Sequence, residues 1–213
     1  MSRVTPSPDL VAPRRRVPTQ ARSRARVALI LDAASRVVVE RGVDELTTTA
    51  VAQEAGIPVA SIYQYFPDRD AVLLAIVERD TEEMDGQIRL DLAAHQPASV
   101  AELIETVMGS FLAVYARRPA FMRIWLRGRT NAAVHEHCMQ HNRSIAAELF
   151  PYATAVGVIA PETPERVGEF VVEMGDRMFQ LAFESDPDGD PFLIAEGRRL
   201  LTRYLEPYAA RRA

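Results

Sequence analysis

The ten residues from Pro58 to Pro67, PVASIYQYFP, offer hydroxyl, amide and methyl groups but no acid. Such groups suit contact with a polyanion that also presents hydrogen-bonding edges. Ser61 and Gln64 can pair with base edges in a major groove, and Val59 and Ala60 can meet thymine methyls. The hydroxyls of Tyr63 and Tyr65, with Thr47, Thr48 and Arg69 on either side, are expected to donate to phosphates. Tyr65 has a second reading, as part of a small core. Upstream, Arg22 and Arg24 follow an RRR cluster at Arg14, Arg15 and Arg16, all of which can reach phosphates or a minor groove.

Groups of this kind read a duplex only if a short rod presents them, and the flanking sequence predicts one. Thr47 or Thr48 caps a helix that runs to about Ala55. Gly56 then stands where the chain must turn and a side chain would hinder it. Ile57 drops inward, Pro58 opens a second helix, and Pro67 ends it at Phe66. Val51, Ala55, Ile57 and Ile62 share a core with Leu46, and Ala52 is small where two helices cross. Two helices about a tight glycine turn make a helix-turn-helix, whose second helix enters the major groove.

Before this unit, Val27, Ile30, Leu31, Ala34, Val37 and Val38 recur at helical spacing, and Gly42 is a fitting C-cap. After it the period stays helical, with Ser99 and Glu102 as a capping box, Pro119 opening a short helix, a helix ending before Pro151, and Thr163–Pro164 opening another. The fold class is therefore all-α, with about nine helices and no strand. Residues 1–18, with four prolines, form a disordered basic arm; residues 19–67 form the helix-turn-helix domain; residues 68–213 form a larger helical domain.

Charge divides along the same line. Residues 1–26 carry seven Arg against one Asp, whereas residues 80–213 carry 14 Arg against 20 acids. One end suits a polyanion and the other does something else. No apolar run is long enough to span a bilayer, the proline-broken N-terminus does not read as a secretion signal, and the lone Cys138 fits a reducing cytoplasm.

Residues 26–77, from RVALILDAA through RGVDELTTTAVAQEAGIPVASIYQYFPDRDAVLLAIV, resemble the N-terminal domain of the TetR family of bacterial transcriptional regulators. The shared marks are the Ile-Leu-x-Ala-Ala first helix, Gly42 after it, Thr47 opening the second helix, AVAQEAGI and SIYQYF. The resemblance implies a homodimer, a palindromic DNA operator, a variable C-terminal ligand-binding domain and, as a family tendency, repression. Two positions depart from the family pattern. Pro58 stands where Ser or Thr is common, so a cap or phosphate contact is lost there. Arg69 stands where Lys is common, which keeps the charge.

A single small reading domain binds with modest specificity, so two copies are needed and the C-terminal half must join them. Small residues at seven-residue spacing, Gly168, Gly175 and Ala182, with Val171, Val172, Phe179, Leu200, Leu201 and Tyr204, suit a four-helix interface between subunits. The same stripe can instead pack within one subunit. Met108, Phe111, Tyr115, Met122, Trp125, His137, His141, Met174 and Met178 mix adaptable, aromatic and polar groups, as a cavity for a mostly apolar small molecule would. Plain core packing is the competing reading of each.

Within HEHCMQH, His137 and His141 share a helix face beside Cys138, which raises a metal-responsive alternative; a third and fourth ligand are missing and no metal is expected. DPDGDP (186–191) lacks the spacing of a calcium loop and reads as a connector. No nucleophile–base pair, phosphate loop or paired carboxylates stand at useful spacing, so an all-α enzyme is the weaker alternative, as is a helical adaptor, and no cofactor is expected.

Overall fold

The structure, a computed structural model, describes residues 19–127 and 131–210, so the basic arm with Arg14, Arg15 and Arg16 lies outside the described residues. Among these, nine α-helices follow in order: α1 (Thr19–Arg41), α2 (Thr48–Ala55), α3 (Val59–Tyr63), α4 (Arg69–His95), α5 (Val100–Arg117), α6 (Pro119–Arg127), α7 (Ala132–Ala155), α8 (Arg166–Phe183) and α9 (Pro191–Leu205). A 3-10 turn, Glu206–Tyr208, ends the fold, and the described residues pair as β only at the single bridge Ile159–Ala209.

The apolar stripe of α1 behaves as its spacing requires: Ile30, Leu31, Ala34, Val37 and Val38 are buried, and Val27 is partly so. They meet Leu46, Val51, Ala52, Ile62 and Phe66 to form the core of an N-terminal head. The head does not stop at α3. Val72, Leu73, Ile76 and Val77 in the first half of α4 join that core, while Met84, Ile88 and Leu92 in its second half are buried among the C-terminal helices. One continuous helix therefore belongs to both bodies.

Caps set several boundaries. Asp68 accepts from the Ala71 N–H at 2.8 Å and starts α4. Ser99 accepts from Glu102 N–H at 3.2 Å while the Glu102 carboxylate accepts from Ala98 N–H at 2.8 Å, so the Ser99–Glu102 box starts α5 with its return bond one residue before the N-cap. Asp190 caps α9 through the Phe192 and Leu193 amides, and Asp186 takes the Asp188 amide, so the acids of DPDGDP shape a connector.

Three boundaries differ from expectation. Helix α7 does not end before Pro151 but continues to Ala155. The proline lacks the N–H that would bond the Ala147 carbonyl, yet both residues are exposed, so water can satisfy that carbonyl while buried Ala153 keeps the last turn on the core. Helix α8 opens at Arg166, not at a Thr163 cap: Thr163 is buried in a preceding turn, where its amide bonds Ala160 O at 3.0 Å. Helix α3 ends at Tyr63 rather than Phe66, for a reason given below.

Polar groups fasten head to bundle. Arg123 of α6 donates to the Val39 carbonyl in the last turns of α1. Arg79 of α4 bonds Asp32 of α1 at 2.9 Å and Asp80 at 2.8 Å. Asp80 has no exposed surface, and Arg118 stands 3.8 Å from it while pairing with Glu83 at 2.7 Å. Removing one member of a buried ion pair strands the other, at several kcal/mol, whereas an exposed pair such as Arg89–Glu148 contributes little. Arg79→Ala, which strands the fully buried Asp80, should therefore lower the unfolding free energy by about 3 kcal/mol, and Arg89→Ala should lower it by less than about 1 kcal/mol, as read by urea denaturation. Equal small losses would show that the Asp80 cluster does not hold the junction.

Candidate functional site

Thr47 is extended (φ −127°, ψ 154°) and its hydroxyl accepts the Ala50 amide at 3.0 Å, so it is the N-cap of α2 and Thr48 is the first helical residue. At the other end Gly56 is left-handed (φ 64°, ψ 35°). Its amide bonds Gln53 O at 3.2 Å, and the Ile57 amide bonds Ala52 O at 3.0 Å. These two bonds form a Schellman closure, with half-buried Ile57 as its apolar contact. Pro58 (φ −60°, ψ 139°) then sets the entry to α3 without a side-chain cap.

Helix α3 is one and a half turns long because its far end tightens. The Tyr65 and Phe66 amides both bond the Ile62 carbonyl at 2.9 Å, which turns Phe66 into the head core beside the fully buried Ile62. The opposite face looks outward: Ala60, Tyr63 and Gln64 are exposed, Tyr63 by 56 %, with Ser61 half-buried at the edge. Tyr63 and Thr48 share a hydroxyl–hydroxyl bond at 3.1 Å, which ties the start of α2 to the end of α3. Thr47 is exposed next to it, and Arg22 and Arg24 are exposed near the start of α1.

Acids around this face are engaged elsewhere. Glu54 pairs with Arg36 at 2.6 Å, and Asp68 is spent on its cap. The result is a rigid convex ridge with donors, methyls and little uncompensated negative charge, shaped to enter a groove of a polyanion.

Three expected contacts move away from that ridge. Val59 and Tyr65 are half-buried against the head core, because α3 is too short to carry apolar groups on its outer side. Arg69 turns back, giving Nη2 to the Val43 carbonyl at 3.1 Å, and so clamps α4 to the loop after α1.

The C-terminal helices α5, α7, α8 and α9 enclose a cavity of about 90 Å³. Met108 and Phe111 line it as expected. Tyr115, Met122, Trp125, His137, His141, Met174 and Met178 do not. Tyr115 is instead the centre of an aromatic core, with Phe111, Phe121, Phe179 and Phe183 ring centroids at 5.9, 5.8, 5.3 and 5.4 Å. Met122 is buried core. Met174 and Met178 line an outer groove between α8 and α9.

His137 and His141 face α4. His137 Nε2 lies 3.1 Å from Thr81 Oγ1, and His141 Nε2 lies 2.8 Å from Asp85 Oδ1. Burial, with the neighbouring His137, lowers the His141 pKa to about 4; burial, with Glu148, raises that of Asp85 to about 6. At neutral pH a neutral imidazole thus donates to an ionised carboxylate. Among the described residues no three His, Cys, Asp or Glu side chains group as metal ligands.

The small-residue stripe also turns inward. Gly168, Val171, Val172, Gly175, Phe179 and Leu201 line the cavity, and Ala182 is buried. A Cβ on Gly168 would come within 2.9 Å of Phe150. The large apolar groups left outward on α8 and α9 are Phe170, Leu181, Phe192 and Leu200, exposed by 48, 43, 68 and 52 %, with Tyr204 half-buried against Phe170.

Residues the sequence reading did not single out complete the cavity. Leu103, Ile104, Ile145 and Leu149 look like ordinary core in sequence. Asn142 and Asp176 are its polar members, and Asp176 was detectable as a lone acid on the apolar stripe Gly168–Val172–Gly175–Phe179. Next to Asp176, Cys138 is buried, and burial followed by that carboxylate's charge pushes its thiol up to about 12.

Residues 30–76 match the family model described as bacterial regulatory proteins, tetR family, and residues 99–205, half of the chain, match that of the tetracyclin repressor-like C-terminal domain. An uncharacterised HTH-type transcriptional regulator of Mycobacterium tuberculosis is 28 % identical over 167 residues, covering 78 % of this chain and 80 % of its own. A TetR-family regulator from Streptomyces coelicolor is 28 % identical, with a TM-score of 0.64 over 86 % of this chain and 99 % of that one. The fatty acid degradation regulator FadR from Bacillus halodurans shares the fold at 19 % identity, with a TM-score of 0.68 over 83 % and 94 % of the two chains. No helix among the described residues is long and apolar enough to cross a membrane.

The turn yields its own measurement. A Cβ at Gly56 would touch nothing within 4 Å, so any cost of substitution is purely that of the left-handed backbone. Gly56→Ala should cost about 1 kcal/mol, and Gly56→Asn less, since Asn tolerates this conformation. Equal stability of Gly56→Ala and the parent chain in urea denaturation would contradict the geometry.

Proposed function

The chain belongs to the TetR family of bacterial transcriptional regulators, and from that premise we propose that it is a cytoplasmic repressor, released from a palindromic operator by a small, mostly apolar molecule. The observation that carries the DNA side is the placement of α3: its apolar groups anchor it in the head while Ala60, Tyr63 and Gln64 stand outward on one ridge. On this reading Gln64 and Ser61 read base edges, Ala60 meets a thymine methyl, and Tyr63, Thr47, Thr48, Arg22 and Arg24 hold phosphates. Arg69 and Tyr65 position the ridge from behind.

The protein acts as a homodimer. Phe170, Leu181 and Leu200 form an apolar outer face on α8 and α9, which is what a second copy would cover. Two-fold pairing places the two α3 helices about one turn of DNA, or a multiple of it, apart.

The switch follows from α4. Its two halves lie in the two cores, and α5 and α7, which line the cavity, pack against it, so a molecule that spreads the cavity walls would move, through them, the bundle end of a rod whose other end aims α3. Only a ligand that binds the non-fitting arrangement better can shift the population towards it.

Selection from random duplexes with the full chain should return an inverted repeat, and Gln64→Ala should relax the preference at one position in each half-site. Leu200→Asp should convert the dimer to monomer in sedimentation and weaken operator binding at least tenfold. Recovery of no preferred sequence would refute operator reading, and a monomeric parent chain would refute the paired architecture.

A further inference from the structure

The cavity carries information about the chemical class of its occupant. Its walls are aliphatic and aromatic except for Asn142 and Asp176. Asp176 also lines a neighbouring pocket of about 150 Å³, with Trp125, His135, Cys138 and Glu173, so its carboxyl sits in the partition between an apolar chamber and a more polar one.

The partners of that carboxyl are all neutral. Trp125 Nε1 donates to Oδ1 at 2.7 Å and Gln180 Nε2 donates to Oδ2 at 2.8 Å, while the nearby Asn142 amide, whose Nδ2 reaches Glu173 Oε1 at 3.4 Å, also favours the charged form. The nearest charged influence on it is another acid, Glu173. Arg177, at the rim of the outer pocket, gives its Nη1 to Gln180. A carboxylate has about four acceptor positions, so these two donors leave acceptor capacity open, and no cation among the described residues pairs with it.

We propose that the effector is a small apolar amine whose ammonium group pairs with Asp176 while its hydrocarbon body fills the cavity. The proposal rests on the reading of this cavity as the effector site. An anion is disfavoured there by the uncompensated acid, and a sugar or other polyol by walls that offer no partners for its hydroxyls. An ammonium supplies both the missing charge and a donor for the open acceptor position. Burial of Asp176 already raises its pKa, as expected for a charge awaiting compensation. At about 90 Å³ the cavity exceeds the space that a single water needs, which suits a short-chain body.

The chain has one tryptophan, and it donates to Asp176, so its fluorescence reports directly on this carboxyl. Full-length protein is titrated at neutral pH with heptylammonium, heptan-1-ol and heptanoate, which share a tail and differ in head charge. Heptylammonium should bind at least tenfold tighter than heptan-1-ol, with heptanoate weakest, and should release the operator in a mobility-shift assay. Asp176→Asn should abolish the amine's advantage while leaving the alcohol's affinity within about twofold. If the alcohol binds and the amine binds no better, the amine assignment is wrong and the apolar effector cavity stands. If none of the three binds, both fall. The ranking in the parent chain decides the matter even if the variant fails to fold.

Discussion

A carboxylate with no exposed surface, Asp80, sits between Arg79 and Arg118 where head and bundle meet, and the working geometry depends on it. Arg79 carries the linkage on to Asp32 of α1, and Arg118 carries it to Glu83. A buried charge tolerates little displacement, because each ångström away from its guanidinium partners exposes it to an unfavourable medium. The network therefore fixes the rotation of the head on α4 more sharply than apolar packing alone would. That suits a molecule whose output is the direction in which a five-residue helix points.

The head is built so that one short helix can be aimed. Helix α3 is too short to be stable alone. Its conformation is imposed by the Schellman turn at Gly56, the fixed backbone of Pro58 and the insertion of Ile62 and Phe66 into the core. Helix α4 then receives the head from beneath, with Arg69 clamped on the Val43 carbonyl. On the outer ridge Ala60 and Gln64 are exposed, which leaves them free to be chosen for contact, while Tyr63 also ties α3 to Thr48.

Much of this was legible in the sequence because it is local. The α1 stripe, the Thr47 cap, the left-handed Gly56 and the Ser99–Glu102 box are each set by residues a few positions apart, and each stands where the pattern put it. The bundle was harder to read because its contacts are distant in sequence. A stripe of small residues says that something approaches closely, not whether it is a second copy or, as for Gly168, Phe150 of the same chain. Methionines and aromatics suggested a cavity wall, and Met108 and Phe111 do line it, yet Tyr115 is the hub of a five-ring cluster, and much of the wall comes from plain aliphatic residues such as Leu103 and Ile145. Composition reports that a region is apolar; only topology decides which apolar atoms fail to meet.

Cys138 stands one shell behind Asp176, enclosed and with its thiol pushed up to about 12. Peroxides and electrophiles attack the thiolate, which is scarcely populated there at neutral pH. The lone thiol of this chain is thus shielded from oxidant chemistry first by burial and then by the same carboxylate that bears on the chamber. A regulator arranged in this way keeps its single thiol out of oxidant chemistry at neutral pH.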